Sequence, residues 1–268
     1  MARIFITGSA DGLGLGLGRR LAGDGHEVVL HARNEQRAAQ TRDAVRVERT
    51  PSSAPSGSAT QVVVGDLAVI AETLEVATQA ERAGPFDAIV HNAGIGYTAP
   101  RREETADGLE RHFAVNVLAP YLLTALISRP GRLIYLSSGM HRGGRATLDD
   151  PQWTARRWSG SGAYSDTKLW DVVLAFAVAR LWPGVPSNAV DPGWIATRMG
   201  GSGAPGSLDE GTRTQAWLAV SDDPAATVTG RYFADMREEQ PAAATKREEL
   251  QDELLDYCAG LSGTLLPR

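Results

Sequence analysis

The amino-terminal stretch restricts the fold of this chain more than any other. Arg3-Ile4-Phe5-Ile6 is a short apolar strand that runs into Thr7-Gly8-Ser9-Ala10-Asp11-Gly12-Leu13-Gly14. A helix carrying Leu15, Leu17, Leu21 and Ala22 follows, and then a second strand, Glu27-Val28-Val29-Leu30-His31. In this strand, glycine-rich turn, helix, strand order, glycines let the backbone approach a dinucleotide pyrophosphate at a helix N-terminus. Gly8, Gly12 and Gly14 follow a G-x-x-x-G-x-G spacing, not the commoner G-x-G-x-x-G. Gly16 and Gly18 continue into the helix, where each costs ~1 kcal/mol relative to Ala. We read them as small residues for tight packing on the sheet.

The alternation continues along the chain. Thr50–Thr60 is a Pro/Ser/Gly connection, and strand Gln61–Val64 resumes beyond it, ending at Asp66-Leu67. A helix over Ile70–Arg82 leads to strand Phe86–Val90 and then His91-Asn92-Ala93-Gly94. Residues 103–128 read as one long helix from Glu103 to Ser128, or two shorter ones. Strand Gly131–Leu136 ends in Ser137-Ser138. A polar, Trp-containing segment over 139–162 is long enough to be an ordered loop near a ligand. The helix bearing Tyr164 runs to about Leu181, and strand Ser187–Val190 leads into Asp191–Thr197. Gly200–Ser207, within a second insertion near 198–210, has a lid-like composition. Gly230–Phe233 is a last strand, and Lys246–Ala259 a charged terminal helix. No repeat or long linker divides the chain. The expected fold class is α/β: one doubly wound parallel sheet with helices on both faces, in a single domain over 1–268.

Composition removes other classes. The apolar fraction of 43% permits a sizeable core. A net charge of −5, with no basic stripe, argues against a nucleic-acid partner. No apolar run approaches the ~18 residues of a membrane span, and the opening residues do not read as a secretory signal. Cys258 is the single cysteine and cannot form an internal disulfide, which reads as a reducing cytoplasm.

Two local features carry chemistry. At the end of the second strand, His31-Ala32-Arg33-Asn34 has Ala32 where NAD-specific folds place a ribose-binding carboxylate. Arg33, with Arg37 one turn on, suits a 2′-phosphate, so NADP(H) is favoured over NAD(H). In Tyr164-Ser165-Asp166-Thr167-Lys168, Tyr and Lys share one helix face, close enough for the ammonium to act on the phenol. Of the 27 Lys and Arg residues only Lys168 and Lys246 are lysine, so a Lys here is not an ordinary surface charge. Asp66 reads either as a helix cap or as a partner of the adenine amine. Asn92 and Gly94 lie at a strand's carboxyl end, where open α/β sheets bind ligands. Asn116 lies in an apolar stretch and needs buried partners.

Together these residues resemble the short-chain dehydrogenase/reductase family: TGSADGLG at 7–14, Asp66, HNAG at 91–94, Asn116, Ser138, Tyr164-xxx-Lys168 and PGWIAT at 192–197. The resemblance runs from Arg3 to about Thr197. The long gap between Ser138 and Tyr164 is similar to the retinol-dehydrogenase-like branch and to related bacterial ketoreductases. HNAG departs from the more usual Asn-Asn-Ala-Gly. The resemblance implies that Tyr164 is the general acid in carbonyl reduction and the base in alcohol oxidation. It implies that Lys168 lowers the phenol's pKa and holds the nicotinamide ribose, and that Ser138, with Ser137 as the alternative, bonds the substrate oxygen. Asn116 would hold a relay water through a local helix distortion. Cofactor contacts would come from Thr7, Gly8, Ser9, Asp11, Gly12, Leu13, Gly14, Arg33, Asp66, Leu67, Asn92, Ala93, Gly94, Tyr164, Lys168, Pro192, Gly193, Ile195 and Thr197.

The favoured reading is an NADP(H)-dependent oxidoreductase interconverting a ketone or aldehyde and its alcohol. An NAD-using epimerase or dehydratase is a second reading, disfavoured by Ala32-Arg33 and the short region after Thr197. A non-catalytic dinucleotide sensor is a third, disfavoured because Tyr164, Lys168, Ser138 and Asn116 are all present. Trp153, Trp158, Trp194 and Met199 fall in segments near the expected pocket, which suggests an apolar or aromatic small-molecule substrate, although core packing explains the tryptophans equally well. Relatives are commonly homodimers or homotetramers.

Overall fold

The computed structural model describes residues 1–46 and 60–268, with Arg46 described by its backbone alone. The connection expected over 50–60 lies, apart from Thr60, outside the described residues, as does Arg49. In chain order the elements are β1 (Arg3–Ile6), α1 (Gly12–Gly23), β2 (Glu27–Ala32), α2 (Glu35–Arg46), β3 (Gln61–Val64), α3 (Ile70–Ala83) and β4 (Ala88–His91). Next come α4 (Arg111–Phe113), a π-helical turn (Ala114–Leu118), α5 (Ala119–Leu126), β5 (Arg132–Leu136) and α6 (Gly160–Leu181). The chain closes with β6 (Ser187–Asp191), α7 (Leu208–Val220), β7 (Tyr232–Ala234), β8 (Arg237–Glu239) and α8 (Glu248–Ser262). No helix among the described residues is long and apolar enough to cross a membrane.

The strands form one sheet in the order β3-β2-β1-β4-β5-β6-β7-β8. Pairs from β3 through β7 are parallel, and β8 returns antiparallel on β7. Burial on both faces explains why the strands read as continuous apolar runs. Successive residues point to opposite sides. Ile4, Ile6, Val28, Leu30, Val62, Val90, Ile134 and Val190 join Leu17, Leu21, Ala38, Ala216 and Leu218 in one core. Phe5, Val29, Val63, Ile89, Leu133, Tyr135 and Ala189 join Val76, Ala80, Leu122, Trp170, Val173 and Leu254 in the other. Helices α1, α2 and α7 therefore cover one face, and α3, α5, α6 and α8 build the other layer. The expected doubly wound sheet is present.

Local details differ from the sequence expectation. A Cβ on Gly18 would stand 2.9 Å from Leu30, so this glycine does let α1 sit close on the sheet. Gly16 faces α7 instead, beside Thr212 and Leu208. The long helix expected from Glu103 begins only at Arg111. Glu110, 1% exposed, caps it by accepting from the amides of His112 (2.9 Å) and Phe113 (2.8 Å) and from His112 Nδ1 (2.8 Å). Residues 104 and 110 form an isolated antiparallel bridge, so the preceding stretch is extended, not helical. β8 has no apolar alternation, since Arg237-Glu238-Glu239 are all exposed, and it follows a turn in which Asp235 and Met236 adopt positive φ. Lys246 ends a short 3₁₀ turn ahead of α8.

Removing the Glu110 cap leaves buried donors without acceptors. We expect Glu110→Ala to lower the unfolding free energy by about 2–3 kcal/mol. Urea denaturation checks it: the midpoint should fall with the m-value unchanged.

Candidate active site

Strand order reverses between β1 and β4, and in an open parallel sheet the crevice at such a reversal, outside the carboxyl ends, is where ligands bind. The glycine-rich turn leaves β1 there, and His91–Gly94 leaves β4 beside it. Thr7 joins the two. Its Oγ1 accepts from the amides of Asn92 and Ala93, both at 3.0 Å. Gly8 has φ +61°, and a Cβ on it would lie 2.7 Å from the Ala93 Cα. A Cβ on Gly14 would lie 2.5 Å from Asn92 Nδ2 and from the Gly8 oxygen. Both positions require glycine for contact with HNAG, a tertiary reason beyond any ligand. Asn92 Nδ2 donates to the Thr7 and Gly8 carbonyls at 2.9 and 3.1 Å. Its buried Oδ1 has no hydrogen-bond partner among the described residues.

Other expected cofactor residues gather along this edge. Ser9 is fully buried; its Oγ donates to the Ile6 carbonyl at 2.8 Å and accepts from the His31 amide at 2.7 Å, so its side chain is structural. His31 Nδ1 accepts from the Gly8 amide at 2.9 Å and Nε2 faces the Gly65 carbonyl at 2.9 Å. These partners fix an Nε2-protonated neutral ring, and burial keeps its pKa low. Arg33 is exposed just beyond Ala32. Arg37 is ion-paired to Asp11 of the glycine-rich turn. Asp66 Oδ1 accepts from the Ala68 amide at 2.9 Å, capping its own turn, and Leu67 is buried. Leu13 and Ile195 would both be struck by a Cβ on Gly211, and Thr197 lies opposite Gly12. The 192–197 stretch thus reaches the same crevice, with Pro192 and Gly193 at its start; Gly193 has φ +83°. Gly200–Ser207 folds back on it, with Ala196 N bonded to Gly206 O (2.9 Å) and Gly206 N to Trp194 O (3.1 Å).

The second half of the site lies where β5 ends against α6. Tyr164, Lys168 and Asp171 are all buried on α6. The Lys168 ammonium donates to the Leu136 carbonyl at 2.7 Å and to Asp171 Oδ2 at 2.7 Å, and stands 5.8 Å from the Tyr164 ring centre. Burial drives the Tyr164 phenol's pKa up, while the Lys168 charge and a hydrogen bond with Ser138 pull against it. Burial works downward on Lys168, but Asp171 and Tyr164 hold it above its ordinary value. Ser137 Oγ is committed to the Lys168 carbonyl at 2.8 Å, which leaves Ser138 as the serine facing the phenol.

Asn116 sits in the π-helical turn. Its Oδ1 accepts from the Ile95 amide at 2.7 Å, and Nδ2 donates to the Ile95 carbonyl at 3.2 Å and Thr167 Oγ1 at 2.9 Å. The side chain therefore ties the loop after β4 to α6. Gly94 lies between them, since a Cβ there would be 3.5 Å from Asn116 Oδ1 and 3.6 Å from Lys168 Nζ.

The 139–162 segment is anchored by a residue that sequence reasoning passed over. Asp166, 2% exposed, accepts from the Arg145 amide at 2.7 Å and from Arg156 at 2.6 Å. Arg156 also lies 3.6 Å above the Trp153 ring. Burial disfavours the Asp150 charge, but the amides of Thr154, Ala155 and Arg156 and the Thr154 hydroxyl hold its pKa at about 2. Trp153 is buried against Trp158, whose Nε1 donates to the Ala99 carbonyl at 3.1 Å. These tryptophans pack the segment down. Tyr97, also missed, sets its ring edge-on to Tyr164 at 5.7 Å. The overlooked signal was an Asp inside the Tyr-x-x-x-Lys stretch, preceded by a loop carrying Arg142, Arg145, Arg156 and Arg157. Releasing that anchor should free Arg156 and loosen the segment around it: we expect trypsin to cut Asp166→Ala after Arg156 several-fold faster than the parent, measured by mass spectrometry of a timed digest.

Comparison with known proteins gives the family. Residues 2–205 match the family model described as short chain dehydrogenase. An uncharacterized oxidoreductase of Emericella nidulans is 43% identical over all of this chain and 99% of its own length. Human retinol dehydrogenase 13 is 28% identical, covering 98% of this chain and 85% of itself. A blue fluorescent protein from a metagenomic library, crystallised in complex with NADPH, is 25% identical with a TM-score of 0.66, covering 87% of this chain and 95% of that one. The chain belongs to the short-chain dehydrogenase family of oxidoreductases.

Proposed function

We propose that this protein is an NADP(H)-dependent carbonyl reductase or alcohol dehydrogenase in which Tyr164 moves the proton. The observation that carries the reading is the convergence of Ser138, Tyr164 and Lys168 beside the Gly8–Asn92 crevice. The crevice suits a dinucleotide: its glycines admit no side chain, and the buried Asn92 Oδ1 lacks a partner among the described residues. The cofactor, when bound, supplies the hydride chemistry.

The chain's own residues bind, orient and protonate. The main chain of the glycine-rich turn and the N-terminus of α1 meet the pyrophosphate, since the Thr7 and Ser9 side chains are committed elsewhere. Exposed Arg33 meets the 2′-phosphate, with Ala32 offering no carboxylate to repel it. Asp66, Leu67, Asn92, Ala93, Gly94, Pro192, Gly193, Ile195 and Thr197 line the remaining edge. Ser138 bonds the substrate oxygen and steadies developing negative charge. Tyr164 donates its hydroxyl proton in reduction and accepts one in oxidation, with the Lys168 ammonium favouring the phenolate. Because both Asn116 Nδ2 hydrogens and one Oδ1 lone pair are engaged, we assign a relay water to main-chain groups of the π-helical turn. Exposed Met140, Trp194 and Met199, from segments adjoining Ser138, Gly193 and Gly96, give the approach an apolar rim. This favours apolar or aromatic ketones and aldehydes, with 139–162 and 198–210 bordering the entrance.

Two measurements test the reading. Fluorescence titration should show NADPH binding more tightly than NADH, with Arg33→Ala weakening NADPH by about 10- to 100-fold and leaving NADH nearly unchanged. Equal affinities in the parent would overturn the cofactor assignment. In a screen of ketones and aldehydes by NADPH consumption, Tyr164→Phe should bind cofactor normally yet lose about 10²- to 10⁴-fold in turnover. Near-normal turnover would remove Tyr164 from the mechanism.

A further inference from the structure

One buried charge has no part in the scheme above. Asp171 is 2% exposed and its Oδ2 lies 2.7 Å from Lys168 Nζ. Tyr164, Lys168 and Asp171 follow one another at i, i+4 and i+7, a single face of α6. A lone ammonium at this depth would tend to shed its proton, and a lone carboxylate to take one up. Side by side, each charge opposes the other's tendency. An ammonium has three hydrogens. One goes to the Leu136 carbonyl and one to Asp171, and these two fixed acceptors set where Nζ stands relative to the phenol.

We propose that Asp171 is a positioning residue of the proton-transfer site, clamping Lys168 and keeping it a cation within the buried interior, so that Tyr164, Lys168 and Asp171 act as one unit. The proposal rests on the reading of Tyr164 as the acid/base.

Several groups face this unit. From β5 come the Leu136 carbonyl, Ser138 and the phenol of Tyr135, which bonds Thr124 at 2.7 Å. From β4 comes His91, stacked on Tyr135 and held neutral by burial, its pKa lowered to about 3. The π-helical turn contributes uncharged Asn116, and the loop after β4 Tyr97, edge-on to Tyr164. Asp191 at the end of β6 acts on Tyr164 in the same direction as Asp171, but does not touch Lys168. Burial pushes the Asp171 carboxyl up, against the pull of the Lys168 ammonium it touches. An anion here makes each proton of the Tyr164–Lys168 pair harder to remove. Neutralising it eases loss of the first proton, whichever group releases it.

The two lysines of the chain make the test direct. With isotope-labelled lysine, NMR at Cε gives two signals, and Lys246→Arg identifies that of Lys168 without cofactor or substrate. In the parent, Lys168 should titrate above the ordinary value of ~10.4. In Asp171→Asn its midpoint should fall by about one pH unit or more, and the alkaline loss of kcat/KM for carbonyl reduction should move down with it. A Lys168 midpoint unchanged in Asp171→Asn overturns the proposal. A parent midpoint below the ordinary value overturns it too, and needs no variant to fold. Active Tyr164→Phe would instead defeat the underlying reading, which the lysine signal does not report.

Discussion

The parallel pairing of β1 with both β2 and β4 is the constraint on which the rest depends. Strands buried on both faces must meet helices above and below, and a right-handed crossover can reach either side of the first strand. Once β4 pairs on the side of β1 opposite β2, the loops leaving β1 and β4 diverge to opposite faces and open a crevice between them. The bonds from Thr7 to the Asn92 and Ala93 amides hold that crevice at a fixed width. The close approaches at Gly8 and Gly14 are made to these same residues. The glycine-rich turn is thus shaped by its packing on HNAG, and the neutral His31 ring behind Gly8 anchors it to β2.

The Tyr164–Lys168–Asp171 face of α6 shows the complementary problem, placing charge where water is excluded. Lys168 is tolerated at that depth because Asp171 and the Leu136 carbonyl meet it, and Tyr164 is then the polar group left facing its charge. The π-helical turn serves the same end from the neighbouring element. It brings Asn116 between Ile95 and Thr167, tying the loop after β4 to the helix that carries Tyr164 and Lys168. Widened helical turns are costly and are kept where a site needs them.

Around this centre Trp153, Trp158 and Asp166 hold a loop in place. Trp153 and Trp158 pack 139–162 down, and Asp166 clamps that segment to the helix bearing Tyr164 and Lys168. The 139–162 segment and the helix bearing Tyr164 and Lys168 are therefore one mechanical piece. Gly200–Ser207, whose composition suggested a lid, is pinned by main-chain bonds to Trp194 and Ala196.

The sequence by itself determined the sheet, its parallel sense, the glycine-rich turn and the Tyr164–Lys168 face, because these rest on local periodicity and on spacing within one helix. It also indicated that the cation is Lys, since a chain rich in Arg places lysine at just two positions. Local sequence did not distinguish Ser137 from Ser138; the resemblance favoured Ser138, and tertiary structure supplies the physical reason, since the Ser137 hydroxyl is bonded to the Lys168 carbonyl. Tertiary structure alone decided that the helix expected from Glu103 starts at Arg111, where a buried carboxylate caps it. It placed β8, whose charged residues carry no apolar signal and which exists by pairing with β7. Asp166 and Asp171 were visible as letters, but the meaning of a buried carboxylate lies in what meets it. Arg156 approaches from a loop folded back over the helix, and the Leu136 carbonyl that shares Lys168 with Asp171 comes from a strand far away in sequence. Long-range electrostatic partners have no period for a sequence to display, and only packing brings them together.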